Sequence, residues 1–250
     1  MANEVLTERR DRVLLITLNR PESRNAINTE LAEGVVRAID ELDRDDGLTV
    51  GVLTGAGSGF CAGMDLKAFA AGQPPKGMLS FVKNGSTKPL IAAIERFALA
   101  GGLEVALACD LVVAARGARL GIPEVAVGLF ASGGALLRLP DRLPYGVAME
   151  MALTGDPITA EQAYEYGLVS RLAEPGYAVD EAITLAGRVA KNAPLAVRAS
   201  QRLVRDSRGR SEAEFWELQR PRIGPVFRSE DAKEGPRAFA EKRPPVWTGR

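Results

Sequence analysis

Apolar and polar positions divide the chain into a part that mixes strands with helices and a final part that is helical throughout. Residues 3–20 alternate, with Val13, Leu15 and Thr17 set against Leu14, Ile16 and Leu18, which predicts strands in a hairpin through Arg9-Arg10-Asp11. The pattern breaks at Asn19-Arg20-Pro21-Glu22-Ser23. Leu31, Val35, Ile39 and Leu42 then follow the helical period, so a helix capped by Asn28 or Thr29 is expected to end within 43–47. The apolar run 48–54 predicts a buried strand. Strand, helix and strand within about fifty residues imply an α/β unit with a crossover.

Further buried strands are expected over 89–95 and 111–115, with strand-like runs over 118–122 and 168–172. Helical spacing marks 145–154 and 160–166, and beyond Asp180 it marks 181–191, 194–206, 212–223 and 231–242. The architecture therefore changes near 190, which divides the chain into a core (residues 1–190) and a C-terminal helical region (191–250). Helices that cannot bury both faces on a small core suggest packing against another subunit. No internal repeat or low-complexity tract appears in the sequence.

Composition narrows the chemistry. At 250 residues the chain can bury a sizeable core. Lys plus Arg equals Asp plus Glu at 32 each, so there is no global field for nucleic acid or a membrane surface. No apolar run approaches the roughly 18–20 residues of a membrane span, and the first ten residues lack the apolar centre of a secretion signal, so a cytoplasmic location is expected. Cys61 and Cys109 both lie in apolar segments and read as free thiols. There is no histidine. That removes Ser-His-Asp and Cys-His catalysis and leaves acid–base work to carboxylates, Lys, Tyr or Cys. No metal-ligand cluster is apparent, and none is required.

The stretch 98–124 carries two glutamates, Glu104 and Glu124, each set among Ala, Val, Leu and Ile. A carboxylate in such surroundings is costly without a partner or a task. Glu104 follows Gly101-Gly102 and is expected to open a helix over 104–108, where free N–H groups favour its ionised form. Glu124 follows Ile122-Pro123, which imposes an extended approach and a fixed turn. If the two converge, they can hold one water between them. The glycine-rich segment 55–66 lacks the Gly-Lys-Ser/Thr of a phosphate loop, and Phe60 stands where a dinucleotide fingerprint needs its third glycine. It reads as a turn that leaves a strand and aims backbone N–H groups at a ligand. Residues 67–88 are expected to form a mobile flap with a short helix or two. Ser132-Gly133-Gly134 reads as a helix start rather than a nucleophile elbow.

Together these pieces resemble the crotonase superfamily, the enoyl-CoA hydratases and isomerases. The resemblance rests on Leu18-Asn-Arg-Pro-Glu-Ser-Arg-Asn-Ala-Ile-Asn28, Gly59-Phe-Cys-Ala-Gly-Met-Asp-Leu66, Ala100-Gly-Gly-Leu-Glu-Val-Ala-Leu-Ala-Cys-Asp110, Ile122-Pro-Glu-Val-Ala-Val-Gly-Leu129, Leu153-Thr-Gly155, 163–169 and 234–243, in that order. It implies an α/β fold, a spiral of ββα units with a C-terminal helical trimerisation region, and assembly as a homotrimer or dimer of trimers. It also implies an acyl-CoA thioester substrate, so that coenzyme A arrives with the substrate and no further cofactor is needed.

The family's oxyanion hole carries over onto the backbone N–H groups of Met64 and Gly101. Ala62, Asp65 and Leu66 are then expected along the adenine and pantetheine of CoA, with Lys67 near its phosphates and Arg24 as a further phosphate contact. Hydratases that resemble this chain have glutamates at the positions of Glu104 and Glu124, whereas isomerases often keep only the second. The resemblance therefore implies reversible hydration of a trans-2-enoyl-CoA in fatty acid metabolism, with Glu104 as the base and Glu124 as the acid. The enzymatic rivals are a Δ3,Δ2-enoyl-CoA isomerase and a specialised hydratase or dehydratase such as one acting on crotonobetainyl-CoA. A non-enzymatic rival is an RNA-binding or scaffold member, against which the charge balance argues. The sequence departs from the family at Arg96 and Ala100, where glycine is usual, and in 131–137, which is expected to reshape the acyl pocket.

Overall fold

The computed structural model describes residues 3–72, 75 and 77–250. Nine strands and eleven α-helices are present among the described residues. A hairpin of β1 (Val5–Arg10) and β2 (Val13–Leu18) turns at Asp11, whose φ is +53°. Helix α1 (Thr29–Arg44) starts at Asn28, whose Oδ1 accepts the Leu31 N–H at 2.9 Å. Strands β3 (Val50–Gly55), β4 (Leu90–Ile94), β6 (Leu111–Ala115) and β9 (Arg171–Ala173) complete a six-stranded sheet in the order β1-β2-β3-β4-β6-β9. Every neighbouring pair is parallel except β1–β2. A smaller sheet holds β5 (Phe97–Leu99), β7 (Arg119–Gly121) and β8 (Ile158–Thr159).

The central strands are apolar on both faces because both faces are covered. Leu14, Ile16 and Leu18 of β2 face a large core shared with α1 and α4 (Gly101–Leu107), while Val13 and Leu15 face a second one closed by Ala178, Ala182 and Ala186 of α8 (Ala178–Ala190). The alternation seen in the sequence therefore separates two interiors, not inside from outside. Edge strand β1 carries Glu8, Arg9 and Arg10, charges that discourage further pairing.

Most elements lie where the pattern placed them. The last strand begins three residues later than the apolar run 168–172, since Leu168 and Val169 are core residues in the turn before β9. The short β5 and β8 carry no periodic signal of their own. The segment 67–88 holds α2 (Leu66–Ala70) and α3 (Met78–Asn84), while residues 73, 74 and 76 of the expected flap lie outside the described residues. Helices α5 (Ala135–Arg138) and α6 (Tyr145–Thr154) lie between β7 and β8 of the second sheet, and α7 (Ala160–Glu165) follows β8.

Helices α9 (Pro194–Asp206), α10 (Glu212–Phe227) and α11 (Glu230–Ala240) form the final layer. Asp110 accepts from Leu90 N, Gln201 Nε2 and Arg205 Nε, which pins α9 to the end of the core. The last residues fold back over α11. Asp231 accepts from the N–H groups of Thr248 and Gly249, and Glu234 accepts from Arg237, Arg243 and Val246 N.

Candidate active site

Two glycine-containing turns at the C-terminal ends of the parallel strands meet beneath α4. Residues 61–65 run beside Ile27, with Ile27 N–H donating to Gly63 O at 2.8 Å and Asp65 N–H donating to Ile27 O at 3.0 Å. In such a parallel bridge the N–H of the intervening residue, Met64, points the other way. That direction is toward Gly101: a methyl group at Gly101 would sit 3.6 Å from Met64 N. Gly63 makes the approach possible, because its φ is +103° and a Cβ there would come within 2.6 Å of Ala100 Cβ and 3.1 Å of Gly101 N. Neither Met64 N–H nor Gly101 N–H donates to a protein acceptor among the described residues. The structure thus brings both donors side by side.

Ala100 precedes Gly101 with φ +51° and ψ −132°, a conformation that strains any residue with a Cβ. Arg96 is also at positive φ, +47°. Both departures from the family's glycines therefore keep the glycine backbone at a cost in strain. Asn25 holds the first turn from below: its buried Nδ2 donates to the carbonyls of Ala56, Gly59 and Phe60 at 2.9–3.0 Å. This positioning role lies within the quoted motif but is not legible without the fold.

Helix α4 begins at Gly101, three residues before the expected start, so Glu104 closes its first turn instead of opening it. The side chain is buried, with 6% exposure. Its pKa is raised, because burial outweighs the N–H groups of Ala135 and Gly133 and the charge of Arg138. The expectation of a favoured ionised form is overturned: desolvation decides. The Ala135 N–H donates to Oε1 at 3.1 Å. Gly133 is required by proximity, since a Cβ there would lie 2.5 Å from Oε2. The Ser132-Gly133-Gly134 turn is indeed a helix start, and its further task is to hold Glu104.

Glu124 sits in a 3-10 turn (Pro123–Val127) that opens with Pro123. Its Oε2 is buried with no hydrogen-bond partner. Its pKa is raised by burial first and further by the charge of Glu104, so the two carboxyls share one desolvated space and interact. Beside Glu124, Ile122, Val125, Phe130, Ala131, Leu136 and neighbouring side chains of α6 line an apolar cavity of about 340 Å³.

The remaining expected residues lie along the first turn. The Ala62 N–H donates to Arg24 O at 3.0 Å, which joins the two segments, and the Arg24 side chain is exposed. Leu66 and Lys67 are exposed at the start of α2. Asp65 commits its carboxylate to the fold: it caps α2 through the N–H groups of Lys67 and Ala68 and pairs with Arg20 at 3.2 Å. Those bonds, the Ala68 N–H first, hold its pKa low. Both cysteines are free and buried, and burial pushes the Cys61 thiol up to about 12. Among the described residues no cluster of three or more Asp, Glu or Cys could hold a metal ion.

Comparison with known proteins finds relatives that span the chain. A family model described as enoyl-CoA hydratase/isomerase matches residues 8–250. The chain is 43% identical over 263 residues to enoyl-CoA hydratase EchA19 of Mycobacterium tuberculosis, covering 99% of this chain and 97% of the relative. It is 38% identical over 255 residues to carnitinyl-CoA dehydratase of Proteus mirabilis, covering 96% and 97%. A crystal structure of an enoyl-CoA hydratase from Mycobacterium tuberculosis H37Rv superposes with a TM-score of 0.97 at 56% identity over 100% of both chains.

Proposed function

The chain belongs to the enoyl-CoA hydratase/isomerase family, and from that premise we propose the chemistry its site performs. The enzyme is a hydro-lyase that adds water reversibly and syn across the double bond of a trans-2-enoyl-CoA, giving a 3-hydroxyacyl-CoA. The N–H groups of Met64 and Gly101 bind the thioester oxygen. Glu104 takes a proton from the water whose oxygen attacks the β-carbon, and the electrons of the double bond move onto the thioester oxygen as an enolate. Loss of one oxyanion donor typically costs about 2.7–4 kcal/mol of barrier. Glu124 then delivers a proton to the α-carbon. One proton leaves water and one reaches carbon, so the pair ends with the same number of protons and exchanges them between turnovers.

The observation that carries this reading is that buried Glu104 and half-buried Glu124, whose Oε2 is buried and unpartnered, feel each other's charge and both have raised pKa values. A group that must alternate between acid and base near neutral pH works best with its pKa moved toward that pH. Ala62, Leu66, the backbone of Asp65, Lys67 and Arg24 are assigned to coenzyme A, which comes as part of the substrate. The 340 Å³ cavity beside Glu124 is assigned to the acyl chain. Rapid loss of conjugated-enoyl absorbance from crotonyl-, hexenoyl- and decenoyl-CoA, with a 3-hydroxyacyl product, is the expected result. A folded protein that binds CoA esters but hydrates none of them would overturn the reading and favour an isomerase.

A specialised acyl group is the second reading, prompted by the carnitinyl-CoA dehydratase relative. Phe130 and Tyr145 flank the cavity and could face a trimethylammonium group, but no lining residue is charged. That lining supports an aliphatic chain, and crotonobetainyl-CoA belongs in the same assay. Assembly as a trimer or dimer of trimers would cover Trp216, Ile223 and Phe227, which α10 leaves exposed. Work in the cytoplasm on fatty acyl chains completes the reading. Among the described residues no helix is long and apolar enough to cross a membrane.

A further inference from the structure

At the opposite end of the parallel sheet from Glu104, a small cavity of about 100 Å³ lies where the N-terminal ends of β2, β3 and β4 meet α9 and the last residues of the chain. Arg12, Thr49, Lys88 and Arg198 line it together with Asp46 and residues 248–250. Three features of this lining do not fit an empty packing defect.

Thr49 is 3% exposed, and its Oγ1 has no hydrogen-bond partner. Lys88 is 2% exposed and its Nζ donates to Asp45 O at 2.7 Å, one bond of the three an ammonium can make. None of Arg12, Lys88 and Arg198 has a carboxylate within ion-pair distance among the described residues, although Arg9, three residues before Arg12, pairs with Asp45. Lys88 is buried and Arg12 and Arg198 are half-buried, so three cations converge without a direct ion pair, and an unsatisfied buried hydroxyl beside them adds to the cost. Arg198 and burial both lower the Lys88 pKa, only partly offset by Asp43, Asp46 and Asp45. One oxygen of the Arg250 carboxylate accepts from the Glu230 and Asp231 N–H groups of α11.

We propose that this cavity is a binding site for a small tetrahedral oxyanion of the phosphate class, which ties the C-terminal helical layer to the sheet. Such an ion accepts from Thr49 Oγ1, from the Lys88 ammonium and from both guanidinium groups, and charge-assisted bonds of this kind are the strong ones. The volume admits an ion a few times the roughly 30 Å³ of a water and no nucleoside. The site joins Arg198 of α9 to residues that precede three core strands, so occupancy should stabilise the docked layer.

The test is calorimetric titration of inorganic phosphate into the intact protein, in chloride buffer at constant ionic strength, with glycerol 3-phosphate as a parallel arm. One saturable site per chain is expected. Affinity should fall at least tenfold in Arg198→Gln and measurably in Thr49→Val, which keeps the side-chain shape while removing the hydroxyl. Phosphate should raise the melting temperature of the wild type by about 2 °C or more, and that of Arg198→Gln by much less. Hydration rates should match the wild type in both variants, since the cavity lies across the sheet from the carboxyl pair. Binding of phosphate alone identifies the free ion; binding of both ligands identifies the phosphate group of a larger molecule, and either supports the site. No saturable binding, or equal binding and equal thermal shifts in wild type and both variants, overturns it.

Discussion

Glu104 and Glu234 are the same residue at nearly the same exposure, 6% and 7%, yet their surroundings drive them in opposite directions. Glu104 is met by two backbone N–H groups and the charge of Arg138 without an ion pair, and burial raises its pKa. Glu234 is gripped by Arg243, Val246 N–H and Arg237, and its pKa falls far below the carboxylate range. One carboxyl is left free to exchange a proton; the other is a permanent anion holding down the tail. Burial by itself marks neither as functional: what the neighbours donate decides which carboxyl does chemistry and which holds structure.

The largest test of that contrast is catalytic. Glu104→Gln and Glu124→Gln should each lower kcat by about 10² to 10⁴ with KM little changed, since acid–base groups act on the transition state. Wild-type hydration by both purified variants would sink the mechanism. The corresponding Glu234→Gln variant, measured in the same enoyl-absorbance assay while folded, should retain its rate.

A smaller effect is expected from the turn that holds Glu104. In Gly133→Ala the new methyl would press on Oε2, and displacing a catalytic group by about 1 Å typically costs about 10²-fold in rate. Steady-state kinetics beside an unchanged circular dichroism spectrum would check it; an unaltered kcat would show that the carboxyl tolerates displacement.

Stability should separate the two glutamates by sign. Glu104 has a folded pKa above its unfolded value, so its protonation favours the fold below about pH 4.5 and that contribution is lost as pH rises through the raised pKa. Glu104→Gln should therefore melt higher than the wild type near pH 7, with the gap closing as pH falls toward 4.5. Glu234 has a lowered folded pKa, so its contribution is present above its unfolded value and lost in acid. Glu234→Gln should melt lower than the wild type at pH 7, the gap closing as pH falls below 4.5. Melting curves across pH that move both variants in the same direction would refute the contrast.

The smallest effect concerns the strained backbone beside the oxyanion donors. Ala100→Gly should stabilise the fold by about 1 kcal/mol, or roughly 2–4 °C in melting temperature for a chain of this size, by relieving the positive φ. A lower melting temperature would mean that the extra freedom of glycine in the unfolded chain outweighs the relief.

Much of this was legible before any coordinates. Leu31, Val35, Ile39 and Leu42 marked α1, Asn28 its cap, and the apolar runs marked β3, β4 and β6, because period and capping are local properties. Two lone carboxylates in apolar sequence and the absence of histidine pointed to the acid–base pair. The strands β5 and β8 were not legible, because at three and two residues they form only when β7 pairs with them. Nor were the supports: Asn25 under the glycine turn and Gly133 against Glu104 act on residues about thirty positions away.

The sequence by itself determined the longer elements and the family they assemble into, and it singled out two carboxyls set in apolar surroundings. Only the tertiary structure decided in which direction their pKa values move. The helix of Glu104 begins three residues earlier than its local signals suggest, and the side chain turns inward, so desolvation overrides the favourable helix terminus. A charge at a helix mouth is a local property, whereas burial depends on what the rest of the chain brings to cover it. For the same reason the adjacency of Met64 and Gly101, set by the crossing of two distant turns, could be anticipated by resemblance but was placed only by the fold.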